Sequence, residues 1–123
     1  MEQGKKITGF EDLVVWQQAL ALAVAIYQAF EACRDFALKN QIQRAAISIS
    51  SNIAEGYERG SNKEFIQFLY YAKGSCGEVR SQTELALRVN LLSPVQAAPI
   101  LASARLLSGK LGAYIKVRET KFS

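Results

Sequence analysis

Three very short breaks divide this chain. Gly60 and Ser61 form one; residues 33–37 and 91–94 form the others. Between the breaks lie four stretches in which apolar residues recur at the three-and-four spacing of an α-helix. Links this short force consecutive helices to run antiparallel. The expected architecture is an all-α, up-down-up-down antiparallel four-helix bundle, with residues 1–123 forming a single domain. Its helices are expected at about 10–32, 38–59, 62–90 and 95–118. No internal repeat, low-complexity segment or linker interrupts the pattern.

Each boundary has a chemical reason. Thr8 and Glu11 stand at capping-box spacing, which starts helix 1 near Gly9 or Phe10. Gly60 stops helix 2. Ser61 with Glu64 forms a second capping box, so helix 3 starts near Asn62 and ends near Asn90. Ser93 as N-cap, Pro94 as first helical residue and Gln96 as capping partner start helix 4. Pro99 conflicts with that start, because its ring would meet the carbonyl of Val95. Either the helix kinks at Pro99 or its regular part begins there. The tail "ETKFS" is expected to fray.

The core faces follow from the same spacing. Helix 2 offers Leu38, Ile42, Ala45, Ala46, Ile49, Ile53 and Tyr57. Helix 3 offers Phe65, Phe68, Leu69, Ala72, Cys76, Val79, Thr83, Ala86 and Leu87, and helix 4 offers Ile100, Ala104, Leu107, Leu111 and Tyr114. Helix 1 differs, being apolar on two faces. Val15, Ala19, Leu22, Ile26 and Phe30 form one; Leu13, Trp16, Leu20, Val24 and Tyr27 form the other. A small bundle covers one face of a helix, so the second points to a neighbouring subunit.

Composition narrows the function. With 50% apolar residues the chain can fill a single modest core. It has no histidine. That removes Ser-His and Cys-His nucleophile pairs, histidine acid/base chemistry, His-containing zinc sites and the Glu-x-x-His pairs of di-iron bundles. Cys33 and Cys76 show neither CxxC spacing nor a disulfide framework, so both are expected as reduced thiols in a cytoplasmic protein. No signal peptide is visible, and the apolar run over 19–27 is too short for a membrane span. No catalytic residue, metal site or cofactor is expected. Glu55 and Glu78 are the suggestive carboxylates, but without histidine or metal-ligand spacing they make no active site.

The formal net charge is +4 and is unevenly placed. Residues 1–84 carry nine Lys/Arg and ten Asp/Glu, a balance of −1. Residues 85–123 carry six Lys/Arg and one acid, a balance of +5. A basic C-terminal third argues for a polyanionic partner. The candidate nucleic-acid-binding residues are Lys73, Arg80 and Arg88 of helix 3, with Arg105, Lys110, Lys116 and Arg118 of helix 4.

The stretch "SISSNIAEGYER" gathers poor helix formers inside an otherwise helical run. On a helical wheel Arg44, Ser48, Ser51, Glu55 and Arg59 fall within about 80° of arc opposite the core face, with Asn52 at the border. Small polar residues suit close approach or specific hydrogen bonds better than plain exposure. With the turn centred at residue 61, Arg44 comes level with Glu78 and Ser48 with Gly74. The expectation is an Arg44–Glu78 ion pair and a close approach at Gly74.

"FEDLVVWQQA", "QIQRAAISISSNIAEGYERGS" and "FLYYAKGSCGEV" together resemble the four-helix bundle family of 23S rRNA intervening-sequence proteins. The resemblance covers residues 10 to about 90 and is specific at "RAAISISSNIAEG" and "GSCGE"; the last helix matches in pattern only. It implies a small all-helical homopentamer. It also implies kinship with the accessory variability determinant proteins of diversity-generating retroelements, basic pentameric bundles that bind nucleic acid and a reverse transcriptase. Trp16, Arg44, Ser48, Asn52, Glu55, Gly56, Gly74, Ser75 and Glu78 match the family's characteristic positions, and none has an assigned catalytic role there. The expectation is a non-enzymatic oligomeric bundle that binds RNA or DNA through its basic surface. The alternative is a protein-interaction scaffold without nucleic-acid binding, in which helix 1 and the Ser/Asn stripe serve subunit and partner contacts.

Overall fold

The computed structural model describes residues 6–121. Four helices are present: α1 (Val14–Ala29), α2 (Phe36–Glu58), α3 (Asn62–Arg88) and α4 (Pro94–Lys121). They pack in a ring, α1 on α2, α2 on α3, α3 on α4 and α4 on α1, with no diagonal pair among the described residues. This is the expected four-helix bundle. Its centre is filled by Ile26, Phe30, Ile42, Ile49, Ile53, Leu69, Val79, Leu107 and Leu111, all essentially without solvent contact.

Several boundaries differ from expectation. Helix 1 does not begin at Gly9 or Phe10. One 3-10 turn occupies Phe10–Asp12, the chain extends at Leu13, and the α-helix starts at Val14. Asp12, not Glu11, closes that entry. Its Oδ2 accepts from the Thr8 amide and hydroxyl, both at 2.9 Å, and from the Gly9 amide at 3.3 Å. Helix α1 also stops at Ala29, before the expected residue 32. Helix α2 begins at Phe36, two residues earlier than expected, because Asp35 is its N-cap and accepts from the Leu38 amide at 3.1 Å.

The later boundaries follow the sequence closely. Gly60 lies in the left-handed region at φ +84 and ends α2. Ser61 accepts from the Glu64 amide at 3.2 Å while donating to the Glu64 carboxylate. At the far end of α3, Asn90 takes φ 63, and Leu91 donates to the Ala86 carbonyl at 2.8 Å. With Asn90 donating to Leu87 this is a Schellman stop, built on an asparagine instead of a glycine. Ser93 and Gln96 cap α4 reciprocally, at 2.9 and 3.2 Å. Helix α4 starts at Pro94 and carries Pro99 inside it. Pro99 is exposed and Val95 is 84% exposed, so the carbonyl that Pro99 leaves without its helical donor sits at the water-facing side. Of the tail expected to fray, Glu119 to Lys121 are helical; Phe122 and Ser123 lie outside the described residues.

The two faces of α1 separate cleanly. Val15, Ala19, Leu22, Ile26 and Phe30 are buried. On the other face Leu13 is buried, and Trp16 is half-buried with its ring edge-on to Phe10 at 5.2 Å. The remaining three, Leu20, Val24 and Tyr27, are 44%, 51% and 44% exposed.

Candidate nucleic-acid interface

Five of the seven predicted basic residues, Lys73, Arg88, Arg105, Lys110 and Lys116, are exposed, and Arg80 is half-buried. Among the described residues none of these six is in an ion pair; the pairs found are those of Arg59 with Glu55 and Glu64. Arg118 behaves differently. Its Nε donates to the Asn62 side chain at 2.8 Å, the Asn62 amide returns a bond to the Arg118 carbonyl at 3.1 Å, and the guanidinium lies 5.0 Å from the Phe65 ring centre. It ties the end of α4 to the start of α3.

The basic side chains are not scattered evenly. Arg80 and Arg105 line one shallow hollow on the α3–α4 seam, together with Gly77, Ser81, Glu84 and Leu101. Lys73 reaches across the same seam, since a Cβ on Gly112 would lie 3.5 Å from its Cε. Lys116 follows Arg105 by three helical turns on the same stripe of α4. Lys110 lies elsewhere, one turn after Leu106, which faces a groove between α4 and α1. Arg88 occupies the exposed last turn of α3, where its charge complements the negative end of the helix dipole.

The signature stretch of α2 meets α3 along a polar line. The Asn52 side chain donates to both the carbonyl and the hydroxyl of Ser48, each at 2.8 Å, and the Ser75 hydroxyl donates to the Ser48 hydroxyl at 3.0 Å. Ser75, not Gly74, is the partner of Ser48; Gly74 is exposed, and a Cβ there would meet nothing within 4 Å. One turn beyond Asn52, Gly56 is buried under Phe65 and Phe68. Arg59 then bridges to Glu55 at 3.0 Å and to Glu64 of α3 at 3.2 Å, with its guanidinium 5.0 Å from the Phe68 ring centre. The expected Arg44–Glu78 pair does not form. Both residues are exposed, outside the line along which Ser48, Asn52 and Gly56 meet α3. Arg44, Ser51 and Glu55 form the water-facing half of the stripe.

Both stretches, "SISSNIAEG" of α2 and "GSCGE" of α3, lie within a span of sequence that a family model matches. The model for the 23S rRNA-intervening sequence protein matches residues 11–113. The chain belongs to that family. A solved relative is a protein of unknown function from the S23 ribosomal protein family of Bacteroides thetaiotaomicron. It is 28% identical, covers 84% of this chain and 99% of its own, and superposes with a TM-score of 0.78. No curated protein matches by sequence.

Within this family member the sequence reading located the cations but missed what lies between them. Lys73, Gly77, Arg80 and Glu84 on α3 share a spacing of four, three and four residues with Arg105, Gly109, Gly112 and Lys116 on α4. That repeated spacing puts each set on one stripe, and it was available in the sequence. Among the described residues no group of three or more His, Cys, Asp or Glu could hold a metal ion, and no helix is long and apolar enough to cross a membrane.

The cysteines are both free, Cys33 half-buried and Cys76 fully buried. Burial pushes the Cys76 thiol up to about 11, against the opposing pull of Lys73 and Arg80. A thiol-specific reagent at neutral pH should therefore label one cysteine, Cys33, in the native protein and both after denaturation. The buried thiol binds its proton more tightly folded than unfolded. Its contribution to stability is present below the ordinary thiol pKa and is lost as pH rises towards about 11. Rapid labelling of Cys76 in the folded protein would contradict this.

Proposed function

We propose that this chain is a non-enzymatic, cytoplasmic, homo-oligomeric bundle that binds RNA or DNA through the basic surface of α3 and α4. The observation that carries the reading is the set of six cations, Lys73, Arg80, Arg88, Arg105, Lys110 and Lys116, none of which is in an ion pair with a described carboxylate. Arg118 contributes charge at the same end of α4 while being held by Asn62. The family is described by reference to an intervening sequence of 23S rRNA, and the solved relative by reference to a ribosomal protein family; both fit an RNA partner. Kinship with the accessory variability determinant proteins, which the sequence resemblance implies, would add support for the same reading and for a pentameric assembly. At a formal +4 per chain, five copies would present about +20, so weak contacts on each copy would add as avidity.

The test is a gel shift with structured RNA and with duplex DNA across a salt series. About six phosphate contacts should cost roughly a thousandfold in affinity between about 50 and 200 mM salt. No retardation of either probe at low salt would remove the reading. A second reading, a protein-interaction scaffold, is favoured by the exposed Leu20, Val24 and Tyr27 on α1. A pull-down that recovers one specific protein and no nucleic acid would support it instead.

A further inference from the structure

We infer that the α3–α4 seam is the seat of a phosphodiester backbone, gripped from its two walls by Arg80 and Arg105. This rests on the nucleic-acid reading above and gives it a place. Two arginines line a single hollow, one from each helix, and among the described residues neither has an ion-pair partner. Glu84 lines the same hollow and pairs with neither. Like charges gathered on one surface repel unless an anion sits between them, and a guanidinium's planar fork fits phosphate oxygens two at a time.

The glycines supply the approach. Gly77 and Gly109 stand in helix interiors, and a Cβ on either would meet nothing within 4 Å; on Gly112 it would meet only the movable end of Lys73. Each interior helix glycine costs about 1 kcal/mol relative to alanine. At Gly56 internal packing demands the glycine, but at these three it does not. What their missing side chains do is lower the walls of the seam, so that a sugar–phosphate chain can come close to the helix backbones. From Arg105 to Lys116 the α4 stripe runs about 16 Å, enough for several successive phosphates. A second copy of this chain fits the seam poorly, since arginines of like charge stand on both of its walls.

The experiment measures fluorescence anisotropy of a labelled RNA duplex of about 20 base pairs at about 50 mM salt and over a salt series. The full-length chain and its variants are compared, with light scattering and thermal melts on each. Arg80→Gln with Arg105→Gln should weaken binding at least about 30-fold and flatten the salt slope by about two. Gly77→Leu, which changes no charge, should weaken binding about tenfold without lowering the melting temperature. Glu84→Gln should tighten binding several-fold, and Arg34→Gln, away from the seam, should stay within about twofold of wild type. If wild type binds and the double variant binds equally well, the seat is overturned while the nucleic-acid reading stands. If wild type does not bind, both fall. If the seam variants change the oligomeric mass but not binding, the seam is a contact between copies and the inference is overturned.

Discussion

Gly56→Val is expected to lower the unfolding free energy by about 3 kcal/mol, and Gly56→Ala by about 1–2 kcal/mol. The alanine result runs against helix propensity, which favours alanine over glycine by about 1 kcal/mol in a helix interior. Packing reverses the sign. A Cβ on Gly56 would lie 2.6 Å from the Phe68 Cβ, 3.1 Å from Cδ1 of Phe65 and 3.3 Å from Cγ of Phe68. The closest of these atoms sits at the root of its side chain, so no rotamer change clears it. The helices α2 and α3 would have to separate, and the Ser48–Ser75 hydrogen bond two turns away would lengthen with them. Gly74→Ala is the control: its added methyl meets open space, so it should raise stability by about 1 kcal/mol. Urea denaturation of the three variants reads the effect directly. A Gly56→Ala protein as stable as wild type would mean that the α2–α3 contact does not depend on that glycine.

That contrast marks where sequence reading succeeds and where it stops. Local chemistry was legible wherever one short segment decided the outcome. The Ser61–Glu64 and Ser93–Gln96 boxes form as their spacing demands, and the periodic faces of α2, α3 and α4, with the first face of α1, are buried or half-buried. Thr8 and Glu11 had the same spacing and misled. Asp12, one residue on, satisfies Thr8 and Gly9 from a 3-10 turn, a competition that spacing alone does not decide. Between helices the register was legible only to about one residue. Level pairing placed Ser48 against Gly74, but the rotation of α3 about its axis presents Ser75 instead. The same rotation leaves Glu78 in water and removes the Arg44 pair. A one-residue error turns a helix by about 100°, so every proposed side-chain partner fails together. The glycines show the limit most clearly. Gly56 and Gly74 look alike in sequence, and only three-dimensional packing tells the one that α3 requires from the one that it ignores.

Leu20→Glu with Val24→Lys is expected to turn an oligomer of wild type into single chains. Leu20, Val24 and Tyr27 follow one another at helical spacing and are roughly half exposed, although the opposite face of α1 already fills the core. The bundle itself uses only the N-terminal part of this second face, through Leu13 and Trp16. Uncovered leucine, valine and tyrosine side chains in a row are the positions a neighbouring copy would bury. Introducing two charges there makes association desolvate both, a penalty of about 4 kcal/mol or more, about a thousandfold in the association constant. The substituted pair is chosen to keep the helix, because glutamate four residues before lysine supports it and leaves the net charge unchanged. Light scattering should report one chain per particle, with helicity and melting behaviour kept. A wild-type protein that already runs as a monomer would refute the oligomer outright. The same variant separates avidity from affinity, since its α3–α4 seam is untouched. Nucleic-acid binding should weaken sharply in the dispersed protein, yet the salt slope per chain should stay as it was. If binding does not change at all, each copy acts alone and the assembly serves some other end.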